Sequence, residues 1–305
     1  MWFKNLQIYQ LQQPFYFSAD WLETPLNDKR FTPCETYDVS RTGWSSPVAS
    51  NTDDAPLAYE VSDCLILCIQ TEEKIIPRPV VNAEAEKIIL SREKQEGRKL
   101  GRKERKEIQE DTFQKLLPQA FSRYSRQYAM IDKAKGWLLV DAGSARKAEA
   151  QISFLRETLG SLKVRPIQSN IVTTYVLTEW LKNPSSHSKF ILCDSCELKD
   201  LVDTPNTLRC KGQDLTADEI LAHLDTGKRV TKLAVEWDEA LTCAIDSDLS
   251  IKRIKILDAL KEQAFDHEIK NEQDAFDTQV TLMILTFRNF LPDFFSLFEI
   301  EQEQQ

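Results

Sequence analysis

Residues 92–109 read REKQEGRKLGRKERKEIQ, and how this stretch is wound decides what kind of element the middle of the chain is. It holds eight Lys or Arg residues and four Glu, a local charge of +4 in a chain whose formal net charge is -9, so the remainder sums to -13. Read as one helix advancing about 100° per residue, it places all eight cations within one half of the circumference. Glu93, Glu96, Glu104 and Glu107 fall in the other half. An ordinary surface helix alternates opposite charges at i,i+4 and docks a third, apolar face on a core. Here Leu100 is the only large apolar residue between Ser91 and Glu107. The expectation is a long, charged helical arm from about Val80 to Lys115, bent or loosened at Gly97 and Gly101. Its ends would be anchored by Ile88, Ile89 and Leu90 and by Ile108, Phe113, Leu116 and Leu117. A charge run of this kind is either a solvated helix face or a rail for a polyanion, where each neutralised phosphate releases counterion.

Outward from the arm the pattern changes. The first 75 or so residues read as strands and turns: WFKNLQIYQL, FTPCETYDVSRTGW and DCLILCIQ, punctuated by Pro25, Pro33, Gly43, Pro47 and Pro56. Beyond the arm, Phe121, Arg123, Tyr124, Arg126 and Tyr128 interleave cations with aromatics, a composition suited to phosphate contact or to an interface. A strand at GWLLVD precedes a helix that starts at Ser144 as N-cap, places Ala148, Ile152, Leu155 and Leu159 at helical spacing, and stops at Gly160. From Ile171 the expectation is a strand-like LTEWL and a helix near DLTADEILAHL. A strand KLAVEW follows, with Leu233, Val235 and Trp237 on one face, then a hairpin LTCAIDSDLSIKRIKIL turning at DSDLS. From about Asp258 the pattern is helical and ends in ILTFRNFLPDFFSLFEI, whose role would be packing or subunit contact. The fold class is therefore α+β, with mixed or antiparallel sheets. The expected organisation is a central domain of residues 1–76 plus 116–170, the arm at 77–115, and a C-terminal α+β base at 171–305.

Composition narrows function by what it lacks. Apolar residues make up 42% and charged residues 29%, ordinary for a globular chain of 305 residues. No apolar run approaches the roughly 18 residues of a membrane span, and the start lacks a secretory pattern, so the expectation is a cytoplasmic location with no membrane role. Seven scattered cysteines suggest no disulfide framework, and the one C-x-x-C, Cys193 and Cys196, has no second pair at zinc spacing. His187, His223 and His267 belong to no metal or catalytic motif, and DTGKRVTK lacks phosphate-loop spacing. No catalytic residue, metal or cofactor is expected. Two basic clusters remain, Lys228, Arg229 and Lys232, and Lys252, Arg253 and Lys255, each a solvated strand edge or a phosphate contact.

The ordered motifs MWFKNLQIYQL, FTPC (31–34), EEKIIPRPVV, LLPQAFSRYS (116–125), SARKAEAQISFLRETLGSL, LTEWL (177–181), KGQDLTADEI (211–220) and TGKRVTKLAVEW (226–237) resemble the RdgC family of bacterial recombination-associated nucleoid proteins. The resemblance implies a horseshoe-like subunit that pairs with a second copy into a ring-shaped homodimer. It further implies nonspecific double-stranded DNA binding through the ring, restraint of RecA-mediated recombination, and no enzymatic activity. It implies that Arg98 and Lys99 are the basic pair of the arm, with Arg102 and Lys103 beside them, and that Phe121 is a dimer contact, core packing being the alternative for so large an aromatic. It implies DNA contact by Lys228 of the GK motif and by Lys211 and Gln213, although the family pattern often has two lysines where Lys211 is followed by Gly212; Arg229 of the Lys228 cluster and Arg123 of the cation-aromatic run are the further candidate contacts. The alternative is an interaction module whose arm binds an acidic protein instead of DNA.

Overall fold

Alternation in RVTKLAVEW builds an inner strand of the sheet: Leu233, Val235 and Trp237 are buried while Lys232, Ala234 and Glu236 are not. The computed structural model describes residues 3–48, 55–200, 206–258 and 272–302. In chain order the strands are β1 (Asn5–Leu11), β2 (Ser40–Ser45), β3 (Ala58–Val61), β4 (Cys64–Ile75), β5 (Phe121–Asp132), β6 (Trp137–Val140), β7 (Val164–Pro166), β8 (Phe190–Lys199), β9 (Thr207–Lys211), β10 (Arg229–Trp237), β11 (Leu241–Asp246) and β12 (Ile251–Ile256). The helices are α1 (Ala19–Asn27), α2 (Arg78–Glu96), α3 (Arg102–Leu116), α4 (Ala145–Leu159), α5 (Thr173–Lys182), α6 (Asp218–Asp225) and α7 (Glu272–Leu297). The fold is α+β, and the strand pairs among the described residues are antiparallel. The chain divides into two compact units.

The first unit comprises Met1–Pro25, Ser46–Leu67 and Tyr128–Gln305. Its strands run β6-β1-β12-β11-β10-β8-β9, so β1 pairs with β12, which lies more than two hundred residues further along the chain. α7 lies on this sheet because its apolar residues recur every three or four positions. Val280, Met283, Phe287, Phe290 and Phe294, and Phe298 just past the end of the helix, are all fully buried. Phe290 packs edge-on against Trp237 (ring centroids 5.4 Å apart), Phe295 against Trp137 (5.5 Å), and Phe287 meets Phe3 (6.1 Å). By length and composition α7 could cross a membrane, but this apolar face is spent on the core. Packing, the first of the two roles open to the C-terminal segment, therefore accounts for it. Asp258 is helical, and residues 259–271, with His267 among them, lie outside the described residues.

Within the same unit α4 begins after Ser144 and ends at Gly160, with Ala148, Ile152 and Leu155 buried, as the spacing requires. The turn between β11 and β12 is the predicted hairpin, with Ile245 opposite Ile251. LTEWL, expected as a strand, is instead the second half of α5. Leu177, Trp180 and Leu181 are spaced i, i+3 and i+4, and all three are buried. Five residues are too few to distinguish that period from alternation, and tertiary packing decides.

The second unit, Leu26–Ser45 and Cys68–Gln127, holds β2 paired with β4 and the two charged helices. The FTPCETYDVSRTGW strand is confined to Ser40–Ser45; residues 31–35 pass across β2 without joining it as a strand. Phe31 donates its N–H to Trp44 O (2.8 Å) there. A Cβ on Gly43 would come within 2.4 Å of the Phe31 Cα, so only glycine admits the crossing.

The arm is corrected by the structure. It is a helical hairpin and not one helix. α2 stops at Gly97 in the left-handed conformation (φ 66°), and α3 restarts after Gly101 (φ -69°, ψ 163°). Ala85, Ile89, Leu100 and Ile108 close a small apolar seam of their own, so Leu100 is buried. Ile88 and Leu90, expected as anchors, face solvent. Because the chain reverses between the two glycines, a continuous wheel does not describe it. The segregation of cations from glutamates disappears.

Candidate functional site

The residues singled out from the sequence fall on both units. At the hairpin turn, Arg98 presents its guanidinium fork to Glu104, donating from Nη1 to Oε2 (3.0 Å) and from Nη2 to Oε1 (2.7 Å), and Nη2 also lies 2.7 Å from Glu96 Oε2. The Arg98 hydrogen bond holds the Glu104 carboxyl down to about 2, assisted by the Gly101 N–H, which donates to Glu104 Oε2 at 2.8 Å. The same pairing raises Arg98 above an arginine's ordinary range. Lys99 is 83% exposed and reaches Glu93 Oε2 at 2.9 Å.

Glu93 is the buried centre of the turn. Its Oε1 accepts the Leu100 N–H and an Arg105 Nη2 hydrogen, both at 2.9 Å. These donors, the Leu100 N–H first, then Lys99 and Arg105, lower its carboxyl to about 2. Arg102 and Lys103, on the first turn of α3, are exposed and have no acidic partner among the described residues. The turn is thus a self-braced cation cluster: three glutamates orient Arg98, Lys99 and Arg105, while Arg102 and Lys103 stay open to a ligand.

On β5, Phe121 is 86% exposed and is not core. Arg123 donates to Glu73 Oε2 (2.5 Å), while Arg126 is half-buried with its Nε donating to Cys68 Sγ (3.4 Å). Tyr124 is exposed and meets Phe31 edge-on, ring centroids 6.5 Å apart. The interleaved cations and aromatics therefore differ in role: Arg126 packs inward and Phe121 projects.

In the first unit, Lys211 is exposed at the end of β9, opposite Ser195. Gly212 follows at φ 69°, and a Cβ there would meet nothing within 4 Å. The backbone, and not space, favours glycine where the family pattern often has a second lysine. Gln213 continues the turn, donating its N–H to Asp194 O (3.4 Å). Lys228 N–H donates to His223 O (3.2 Å) at the end of α6, and Arg229 Nη1 donates back to Lys228 O (3.1 Å). Both side chains are half-buried.

Sheet register brings together cations that the sequence lists apart. Lys232 and Lys252 share Asp246, at 3.1 Å and 2.9 Å. A cavity of about 280 Å³ beside them is lined by Arg209, Lys211, Lys232 and Arg253 with Glu197. Arg209 was not singled out from the sequence, and Arg253 was noted only as part of a cluster. The available signal was IKRIKI, whose apolar residues at 251, 254 and 256 break strict alternation. Among the described residues no group of three or more His, Cys, Asp or Glu is placed to hold a metal ion. Cys193 and Cys196 are free thiols, and Cys196 stands opposite Cys210.

Comparison with known proteins bears on the whole chain. A family model described as "Putative exonuclease, RdgC" matches residues 1–301. A protein of Yersinia enterocolitica named "Recombination-associated protein RdgC" is 38% identical over 283 residues, 93% of each chain. One of the same name from Pseudomonas aeruginosa strain PAO1 is 39% identical over 295 residues, 97% of this chain and 96% of the relative. With a family model matched over residues 1–301 and relatives 38% and 39% identical over 93% and 97% of the chain, the chain belongs to the RdgC family.

Proposed function

We propose that this protein is a non-enzymatic binder of double-stranded DNA with little sequence preference. Two horseshoe-like copies close into a ring around the duplex, in the nucleoid of the cytoplasm, and occupy DNA that RecA filaments would use, restraining recombination. Family membership and the recombination-associated names of the relatives support this reading. The observation that carries it is the hairpin turn, where Arg98, Lys99, Arg102 and Lys103 are concentrated on an exposed, braced loop of an otherwise acidic chain. A local field, not net charge, governs contact with a polyanion. Phosphate contacts of this kind fix position without reading sequence. Phe121 serves as the subunit contact, since so large an exposed aromatic gains most from burial against a partner. Lys211, Gln213, Lys228, Arg229 and Arg123 provide further contacts to the backbone.

The test is fluorescence anisotropy with random-sequence duplex over a salt series, with light scattering for mass. Binding whose log–log salt slope flattens when Arg98, Lys99, Arg102 and Lys103 are neutralised supports the reading. Absence of binding at low salt overturns it and favours an acidic protein partner for the hairpin. The "exonuclease" in the family description calls for a nuclease assay with Mg²⁺ on the same sample. Hydrolysis co-purifying with the protein at constant specific activity would overturn the non-enzymatic part.

A further inference from the structure

The solvent-facing side of the first unit's sheet gathers four cations from three strands into one cavity of about 280 Å³: Arg209 and Lys211 of β9, Lys232 of β10 and Arg253 of β12. Glu197 of β8 is the one carboxylate in the lining. The collection depends on two irregularities. Opposite β8, Val230 pairs with Leu198 but Lys232 with Glu197, so Thr231 is an extra residue that turns into the interior. Opposite β11, Lys252 pairs with Ala244 but Lys255 with Thr242, so Arg253 and Ile254 together face Cys243 alone. Strict alternation from buried Ile251 would send Arg253 into the core. The bulge instead leaves Ile251, Ile254 and Ile256 inside and Lys252, Arg253 and Lys255 outside.

Arg253 adopts φ 56° to do this, the left-handed region that suits glycine or asparagine, and its N–H donates to Asn5 Oδ1 (3.4 Å). A long cationic side chain retained in a conformation that disfavours it is an outlier that points to use. The partners agree. Glu197 accepts from Arg209 Nε (2.8 Å), which orients a 78% exposed side chain, while its terminal nitrogens meet no acceptor among the described residues. Lys211 and Arg253 have no acidic partner among those residues either, so the lining carries a net positive charge.

We infer that this bulged cavity is a phosphate seat, in which Arg209 and Arg253 contact the phosphodiester backbone of duplex DNA. The inference rests on the DNA-binding reading above and adds residues to it that lie far from the hairpin in sequence. Arg209 supplies a preoriented planar fork and Arg253 a second charge, a pairing that matches phosphate oxygens. Because only phosphate is touched, binding to all sequences should weaken alike.

The experiment uses the full chain and anisotropy against salt for wild type, Arg209→Ala, Arg253→Gly, Arg98→Ala and Arg146→Ala. Arg253→Gly removes the charge while relieving the left-handed backbone, so its thermal midpoint should not fall, and weakened binding cannot then be ascribed to unfolding. The expected result is a salt slope shallower by about 1 for Arg209→Ala and for Arg253→Gly, with Arg146→Ala, an equal loss of charge on exposed α4, unchanged. Wild-type slope and affinity in both seat variants, with a changed slope in Arg98→Ala, overturns the seat and leaves DNA binding standing. An Arg146→Ala loss as large as theirs also overturns it, as a net-charge effect. Failure of wild type to bind overturns both.

Discussion

Arg105 on α3 lies 2.9 Å from Glu93 on α2, and the same carboxylate oxygen takes the Leu100 N–H between them. One buried acid thus ties both helices and the turn of the charged hairpin. The expectation of a cationic rail with its glutamates turned away is replaced by a turn in which glutamates hold the cations in place.

Acid should loosen this turn. Glu93 is depressed from an ordinary value of about 4.5 to about 2, so its contribution is present above the unfolded value and is lost as pH falls through the folded one. Amide exchange at Leu100 should accelerate, relative to buried amides of β10, as pH is lowered from about 4.5 toward 2. In Glu93→Gln the protection should already be reduced at neutral pH and should lack that pH dependence.

Arg98 is engaged by Glu104 and Glu96 before any ligand arrives. A phosphate must therefore compete with two carboxylates. Glu104→Gln should strengthen duplex binding and steepen the salt slope by about 1, while Arg98→Ala should flatten it by a similar amount. Anisotropy over a salt series measures both, and weaker binding in Glu104→Gln would instead make Glu104 a brace whose ordering of the turn matters more than its charge.

Phe121→Ala should leave the fold untouched, because the ring is exposed. Its unfolding free energy should stay within about 0.5 kcal/mol of wild type. On the subunit-contact reading, light scattering should show lower mass at equal concentration. A large loss of stability with unchanged mass would assign the ring to packing.

Arg288 on α7 donates to both oxygens of Asp132 (2.7 and 3.0 Å) and to Ser62 O (2.8 Å), pinning the helix to the ends of β3 and β5. Asp132 is fully buried. Arg288→Ala strands that carboxylate and should cost about 3–5 kcal/mol, read by urea denaturation. Phe294→Ala, in the core on the same helix, should cost a comparable 3–5 kcal/mol by leaving a cavity.

Much was legible where the signal is local. Alternation in β10, the Ser144 and Gly160 limits of α4, and the turn at 246–250 follow from side-chain period and backbone preference, which neighbouring residues alone specify. LTEWL failed because its five residues satisfy two periods, and burial against β10, where Thr178 Oγ1 accepts the Val230 N–H (3.0 Å), selects the helix. Phe121 was open between core and surface because hydrophobicity does not report exposure.

By itself the sequence determined the α+β class, the family, the basic composition of residues 92–109 and the two glycines at which the chain can reverse. Only the tertiary structure decided that it does reverse, because the Ala85–Ile89–Leu100–Ile108 seam exists only once the helices lie side by side. It likewise decided that Arg209, Lys232 and Arg253 share one cavity, since register and bulges are set by pairing partners distant in the chain. A periodicity can be read from neighbours, but which charge faces which depends on closure of the fold.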